Sequence, residues 1–310
     1  MTSIPVATET LRCAPWARAE ELDPIGTAGS QQGFLLIEWP LPWARDIGDI
    51  PELAPVAAAT RGAGIRIQAL VPAGSHTEVR RIVLYRSAPD GRGFTRYERT
   101  ERVVPADSTV EGALELLSGA SAPGWVMADV DQEVLVCTHG KRDICCGSLG
   151  TALALQVSAD TGLLGANVRT WRTSHTGGHR FAPTAIVLPY GTMWGFLDQP
   201  LIQRIVRREG NVAEALAHYR GCAGLESPEL QAVERLAFAE VGWDWLDFAR
   251  RGATHDGVTT LTATAPDGTV SQWSGEVVVR RMVPVPDCGK PISEAKKSEP
   301  ELEVLNFRRL

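Results

Sequence analysis

The stretch VCTHGKRDICCG, residues 136–147, and its companion TSHTGGHRFAP, residues 173–183, decide how this chain is read. Together they hold Cys137, His139, Cys145, Cys146, His175 and His179, half of the six cysteines and half of the six histidines in 310 residues. The run EVLVCTH is apolar and β-branched, which predicts a strand ending at Cys137. GSLGTALALQVSADTG has helical spacing and stops at Gly162, and NVRTWRTSH predicts a second strand ending at His175. TAIVLPYG and TMWGFLD then predict a hairpin about Tyr190-Gly191. PLIQRIVRREG closes the segment as a helix, with Pro200 near its first position and Gly210 past its end.

This order, β-α-β followed by β-β-α, is that of a minimal thioredoxin-like fold. Working outward, residues 1–122 form an N-terminal α/β region with strands at GFLLIEWP, IRIQALVP and EVRRIVLYRS and helices at ELAPVAAATRGAG and STVEGALELLSGA. Residues 123–210 are the thioredoxin-like module, set off by the Gly/Ala/Pro-rich SGASAPG near residue 122. Residues 211–290 predict two helices, VAEALAHYRGCAG and PELQAVERLAFAEVGW, and a β-hairpin turning at Pro266-Asp267-Gly268. The charged residues 291–310 read as a flexible tail. The fold class is α/β, with the module embedded in a larger α+β chain.

In that fold both motif loops open at one edge of the sheet. Gly177-Gly178 between two histidines exclude a helix and let the backbone pass close to a bound group. Two thiolates and two imidazoles then converge, the ligand set of a zinc site or of a mixed Cys/His iron–sulfur cluster. Any one of them alone reads as a buried core thiol or a surface imidazole. Two pairs at two strand ends favour a metal. The C-x8-C spacing is wider than that of tight zinc knuckles, which leans towards a cluster. Thiol–disulfide exchange is disfavoured because Cys145 and Cys146 are adjacent where C-x-x-C is needed. Cys13, Cys222 and Cys288 have no His or Cys close by in sequence and read as plain thiols, and Trp171 and Trp194 read as core.

Composition excludes several classes. A net charge of −6 gives no global attraction to nucleic acid or to an anionic membrane. There is no secretory start and no apolar run long enough for a transmembrane helix, and sparse, partly adjacent cysteines suit a reducing cytoplasm. No G-x-G-x-x-G after a strand and no P-loop is present, so flavin or nicotinamide chemistry belongs to a partner.

CTHGKRDICCG, WRTSHTGGHRFAPTAIVLPYGTMWGFLD, the looser HYRGCAGLESPELQAVERLAFAEVGW and the opening RCAPWARAEELDPIGTAGSQQGFLLIEWPLPW resemble the sucrase/ferredoxin-like family. The resemblance covers residues 10–250 and is strongest at 134–198. It implies a [2Fe–2S] cluster held by Cys137, Cys146, His175 and His179. Cys146 matches because it directly precedes Gly147, and Cys145 is the alternative second thiolate. His139, Arg142, Asp143, Arg172, Arg180 and Pro183 surround these ligands; Pro183 stands where a cis-proline shapes a thioredoxin-like site, or opens a strand in trans. The implied function is a non-enzymatic electron carrier between a ferredoxin-reductase-type donor and an acceptor protein. Its potential would lie at roughly −150 to +300 mV if both imidazoles bind one iron. The alternative is a scaffold protein with zinc on the same ligands. Glycoside hydrolysis is not implied, because no stretch groups the two flanking carboxylates it needs.

Overall fold

The computed structural model describes residues 12–72, 78–88, 91–119, 125–126, 130–160 and 162–310. The boundary expected near residue 122 lies outside them. The chain opens with α1 (Cys13–Ala19), followed by β1 (Gly33–Glu38), α2 (Ala54–Gly62) and β2 (Ile65–Leu70). Next come β3 (Val79–Ser87), β4 (Tyr97–Pro105), α3 (Thr109–Ser118) and β5 (Trp125–Val126). β1 is buried along its whole length, and the two-residue period of a strand divides its side chains between two cores. Leu35 and Ile37 meet Leu53, Val56, Ala113 and Leu116 around α2 and α3. Phe34 and Leu36 face the larger core on the other side.

The central segment runs β6 (Gln132–Cys137), α4 (Thr151–Ala159), β7 (Val168–Thr173), β8 (Ala185–Leu188), β9 (Thr192–Trp194) and α5 (Gln199–Arg207). β6 pairs parallel with β7 and antiparallel with β8, and β9 is antiparallel to β8. Val134, Leu135 and Val136 are buried on both faces of β6, the continuous apolar run expected of a strand covered on both faces. Asp198 caps α5 by accepting from Leu201 N, with Pro200 in the first turn.

The N-terminal and central strands make up nine of the ten strands of one sheet, and the two halves join at a single registered pair, Leu70 of β2 with Thr173 of β7. From that junction they fold towards each other. Phe34, Leu36, Val83 and Tyr85 share a core with Val134, Ile186 and Leu188. Across it, Tyr85 Oη donates to Glu133 Oε2 at 2.6 Å, and Arg99 and Arg169 flank the same carboxylate. The N-terminal region therefore packs directly against the central segment.

The rest of the chain holds α6 (Val212–Leu216), β10 (Tyr219–Cys222), α7 (Pro228–Val241), β11 (Ala249–His255), β12 (Val258–Thr264), β13 (Val270–Pro284) and β14 (Ser298–Arg309). Two expectations are corrected here. HYRGC does not continue a helix: α6 stops at Leu216, and residues 219–222 extend the large sheet beside β9. The supposed flexible tail is β14, the edge of a four-stranded antiparallel sheet β11-β12-β13-β14 packed on α7. Its acids looked solvated only because their cations are remote in sequence: Glu301 meets Arg281 at 2.6 Å and Glu299 meets Arg180 at 2.7 Å. No helix among the described residues is long and apolar enough to cross a membrane.

One fully buried ion pair ties these parts together. Arg250 of β11 contacts Glu234 of α7 at 2.6 Å; Tyr219 and Trp245 also donate to Glu234, and Arg250 donates to Thr95 O. Removing one partner strands a buried charge. Arg250→Met should cost about 3–5 kcal/mol, read as a lower denaturant midpoint at unchanged slope.

Candidate metal centre

Cys137 and Thr173 end β6 and β7 in register, so the loops that follow leave the same edge of the sheet. Cys137 N donates to Thr184 O and Thr138 N to Thr173 O, which fixes where the first loop departs. That loop turns back at once. His139 O accepts from Arg142 N and Asp143 N, Gly147 N donates to Asp143 O, and Asp143 Oδ1 accepts from Cys146 N at 3.1 Å. Gly147 makes this return possible, since a Cβ there would lie 2.4 Å from Gly140 Cα. The second loop passes through Gly177 and Gly178 with φ of 83° and 63°, values that suit glycine. A Cβ on Gly178 would run into the Arg220 guanidinium at 2.5 Å.

Cys137 Sγ, Cys146 Sγ and a ring nitrogen of His175 lie within 4.8 Å of one another. His175 Nδ1 is 3.9 Å from Cys137 Sγ and 4.0 Å from Cys146 Sγ, and both thiols are fully buried. The Cys146 thiol, with His175, holds Cys137 well below the ordinary thiol range, while Cys146 is raised by donating to Cys137 and by burial. His179 lies beside this group. Its ring centre is 6.1 Å from that of His175, and its Nδ1 faces Asp143 Oδ2 at 3.2 Å and Cys13 Sγ at 3.4 Å.

The residues singled out around the motifs have definite places. His139 is buried between strand and loop: its Nε2 donates to Ala44 O at 2.9 Å, so its Nδ1 accepts from His175 N at 3.3 Å. Burial holds its pKa below the ordinary imidazole value, in keeping with the neutral form this pattern requires. Arg142 borders two clefts above His175. Arg172 lies on β7 below the loop, where its carbonyl accepts from Val71 N. Arg180 is buried against Phe181 and paired with Glu299. The Ala182-Pro183 peptide is cis. Trp171 and Trp194 are buried in the large core.

Other contacts were not visible in the motifs. Arg66 Nη2 and Gln68 Nε2, both on β2, donate to His175 O at 2.6 and 3.3 Å. Arg220 of β10 donates to Gly177 O, Thr27 O and Thr27 Oγ1. Burial, followed by repulsion from Arg180 and Arg66, brings its pKa down to about 9.

Cys13 and Cys288, read as plain thiols, are corrected: the fold gathers them at Cys145. Cys288 Sγ is 3.1 Å from Cys13 Sγ and 3.2 Å from Cys145 Sγ, and Asp143 approaches Cys13 Sγ to 3.7 Å. Hydrogen bonds from Cys13 and Cys288 hold the Cys145 thiol down at about 3, and the Cys13 thiol is raised in return. Sequence separations of 132 and 143 residues hid this group (145 − 13 and 288 − 145). Cys222 stays apart, and burial pushes its thiol up to about 12.

Two clefts of about 330 and 610 Å³ open onto His175. Arg45, Arg66 and Arg142 border both, and the larger one also reaches His179, Lys296 and Lys297. The local surface is cationic although the chain as a whole carries −6.

The glycine contact is testable. Gly147→Ala must push the two arms of the first loop apart, an overpacking that costs about 1–3 kcal/mol. Its melting temperature should fall, and Cys137 and Cys146 should react faster with an alkylating reagent when followed by peptide mass mapping.

A relative described as altered inheritance of mitochondria protein 32, from Meyerozyma guilliermondii, is 30% identical over 95 residues, covering 26% of this chain and 33% of the relative. The chain thus matches about a third of that protein's length. No solved structure matches. The description of the Sucrase/ferredoxin-like family fits residues 24–221, from the segment after α1 through both motif loops to β10. The chain belongs to the Sucrase/ferredoxin-like family.

Proposed function

We propose that this protein is an electron carrier whose [2Fe–2S] cluster is held by Cys137, Cys146, His175 and His179 in a thioredoxin-like module. The observation that carries the reading is the meeting of two buried thiols and His175 within 4.8 Å, at the ends of two parallel strands, with His179 on the adjoining turn. The strand order β9-β8-β6-β7, with α4 between β6 and β7 and α5 after β9, supports the thioredoxin-like part.

The donor set fits the group. Thiolates and imidazoles are the ligands of mixed-ligand [2Fe–2S] centres, and Cys137 is already biased towards its thiolate. When bound, such a cluster takes up and releases one electron at a time. The chain's own residues supply the setting. Asp143 engages Nδ1 of His179 and leaves its Nε2 to a metal, the carboxylate–histidine arrangement that fixes ring orientation. His139, Arg66 and Gln68 hold the backbone of His175. The buried thiols keep water from one side, and the cationic clefts leave the imidazole side open to a partner. A donor or acceptor docking there would present acidic side chains, since complementary charge steers association. A cytoplasmic setting suits six unbridged cysteines.

A second reading has its own observation. Three ligand atoms within 4.8 Å of one another also suit one zinc ion, which would make the module a scaffold.

Protein purified without oxygen distinguishes them. A red-brown protein with a rhombic EPR signal on reduction, altered in His175→Cys and in His179→Cys and lost in Cys137→Ser, is the expected result. A colourless protein whose zinc leaves in Cys137→Ser would give the site to the scaffold reading.

The cationic rim makes a second prediction. Arg142 favours the more negative, reduced state, so Arg142→Gln should lower the midpoint potential. The shift should be roughly tens of millivolts, the scale of one charge acting through an effective dielectric of about 20. A spectroelectrochemical titration reads it directly.

A further inference from the structure

We infer that Cys13, Cys145, Cys288 and Asp143 form a second metal site that binds a single zinc ion, separate from the proposed cluster. The inference does not depend on what occupies the first site.

One thiol sulfur or carboxylate oxygen from each of these four residues lies within 4.8 Å of the others. A tetrahedral zinc with bonds of about 2.3 Å to sulfur has ligand edges of about 3.8 Å, so the set is sized for one ion. The sulfur contacts at 3.1 and 3.2 Å need to open only slightly to admit it. Three thiols with one carboxylate are soft enough for zinc and poorly suited to the hard ions calcium and magnesium. A disulfide between any two would leave the third thiol and the carboxylate buried together without a partner ion. An ion uses all four.

The surroundings support the ligand roles. Cys13, Cys145 and Asp143 are buried. Asp143 is held by Cys146 N and by His179 Nδ1, the kind of outer hydrogen bonding that orients a ligating carboxylate. Cys13 N donates to Cys288 Sγ at 3.4 Å, as backbone amides do to bound thiolates. The ligands also come from three remote places: the start of α1, the first motif loop and the segment between β13 and β14. Zinc here would fasten both ends of the chain to the loop that carries Cys137 and Cys146. The segment after Cys288 brings Lys296, Lys297 and Glu299 to the cleft above His179. The ion would therefore hold one wall of the opening through which a partner reaches the first site.

The test is zinc and iron content by mass spectrometry on protein purified anaerobically from zinc-containing medium. Wild type should hold about one zinc per chain, still present in His175→Ala and reduced about tenfold or more in the Cys13→Ser/Cys288→Ser double variant. Zinc that leaves with His175→Ala and stays in the double variant belongs to the first site and overturns the inference. So does wild type without zinc, in which peptide mapping finds a disulfide among Cys13, Cys145 and Cys288. Zinc without iron in wild type, lost only in the double variant, sustains this site while removing the electron-carrier reading. If the double variant does not fold, wild type decides: stripping zinc with a chelator should speed alkylation of Cys288 about tenfold, and an unchanged rate overturns the site.

Discussion

The junction between β2 and β7 is the contact on which the motif edge depends. Ladder pairing there is reduced to Leu70 with Thr173, and side chains take over the hydrogen bonding where the strands diverge. Gln68 Oε1 accepts from both Thr173 Oγ1 and Ser174 Oγ, while its Nε2 donates to His175 O. Ala69 is bound on both sides, its N donating to Ser174 Oγ and its O accepting from Ser174 N. A buried amide costs free energy unless its groups are paired, and these partners are what make Gln68 tolerable at the centre of the molecule. In return, the N-terminal half of the sheet dictates where the second loop begins. His175 is placed by residues more than 100 positions away in sequence.

The same junction shapes the electrostatics. Arg66 and Arg220 are drawn in towards the His175–His179 loop and held by main-chain carbonyls of that loop. A buried guanidinium needs anionic company, which for Arg66 comes from Cys137 and Asp46 and for Arg180 from Glu299. Cations facing thiolates favour the ionised, metal-binding form of the cysteines. The loop, its arginines and its thiols are thus one charge system, and β14 belongs to it through Glu299.

Period and turn chemistry made the central segment legible. Apolar runs announced β6 and β8, helical spacing announced α4, and Pro200 marked the start of α5, because each signal is local. What stayed hidden was set by distance. β14 carries a charge pattern indistinguishable from a solvated tail until Arg180 and Arg281 are brought to Glu299 and Glu301. HYRGC has too few residues to show a strand period, and Gly221, at φ 126°, breaks it further. Cys13 and Cys288 had no neighbours in sequence to mark them. The motif residues stand out because two strands end at them, whereas the cysteine trio depends on contacts between remote segments of the chain.

The two adjacent cysteines leave the backbone in different directions. Cys145 has helical dihedrals, φ −66° and ψ −42°, and Cys146 opens the short helical turn 146–150 that leads into α4. Adjacent side chains on such a backbone diverge by about 100° and cannot both turn to one ion. Cys146 faces Cys137 and His175, and Cys145 faces Cys13 and Cys288. Between them Asp143 accepts from Cys146 N on one side and meets Cys13 on the other. A single turn of backbone thus sends one thiol to each group, and any shift of that turn must disturb both together.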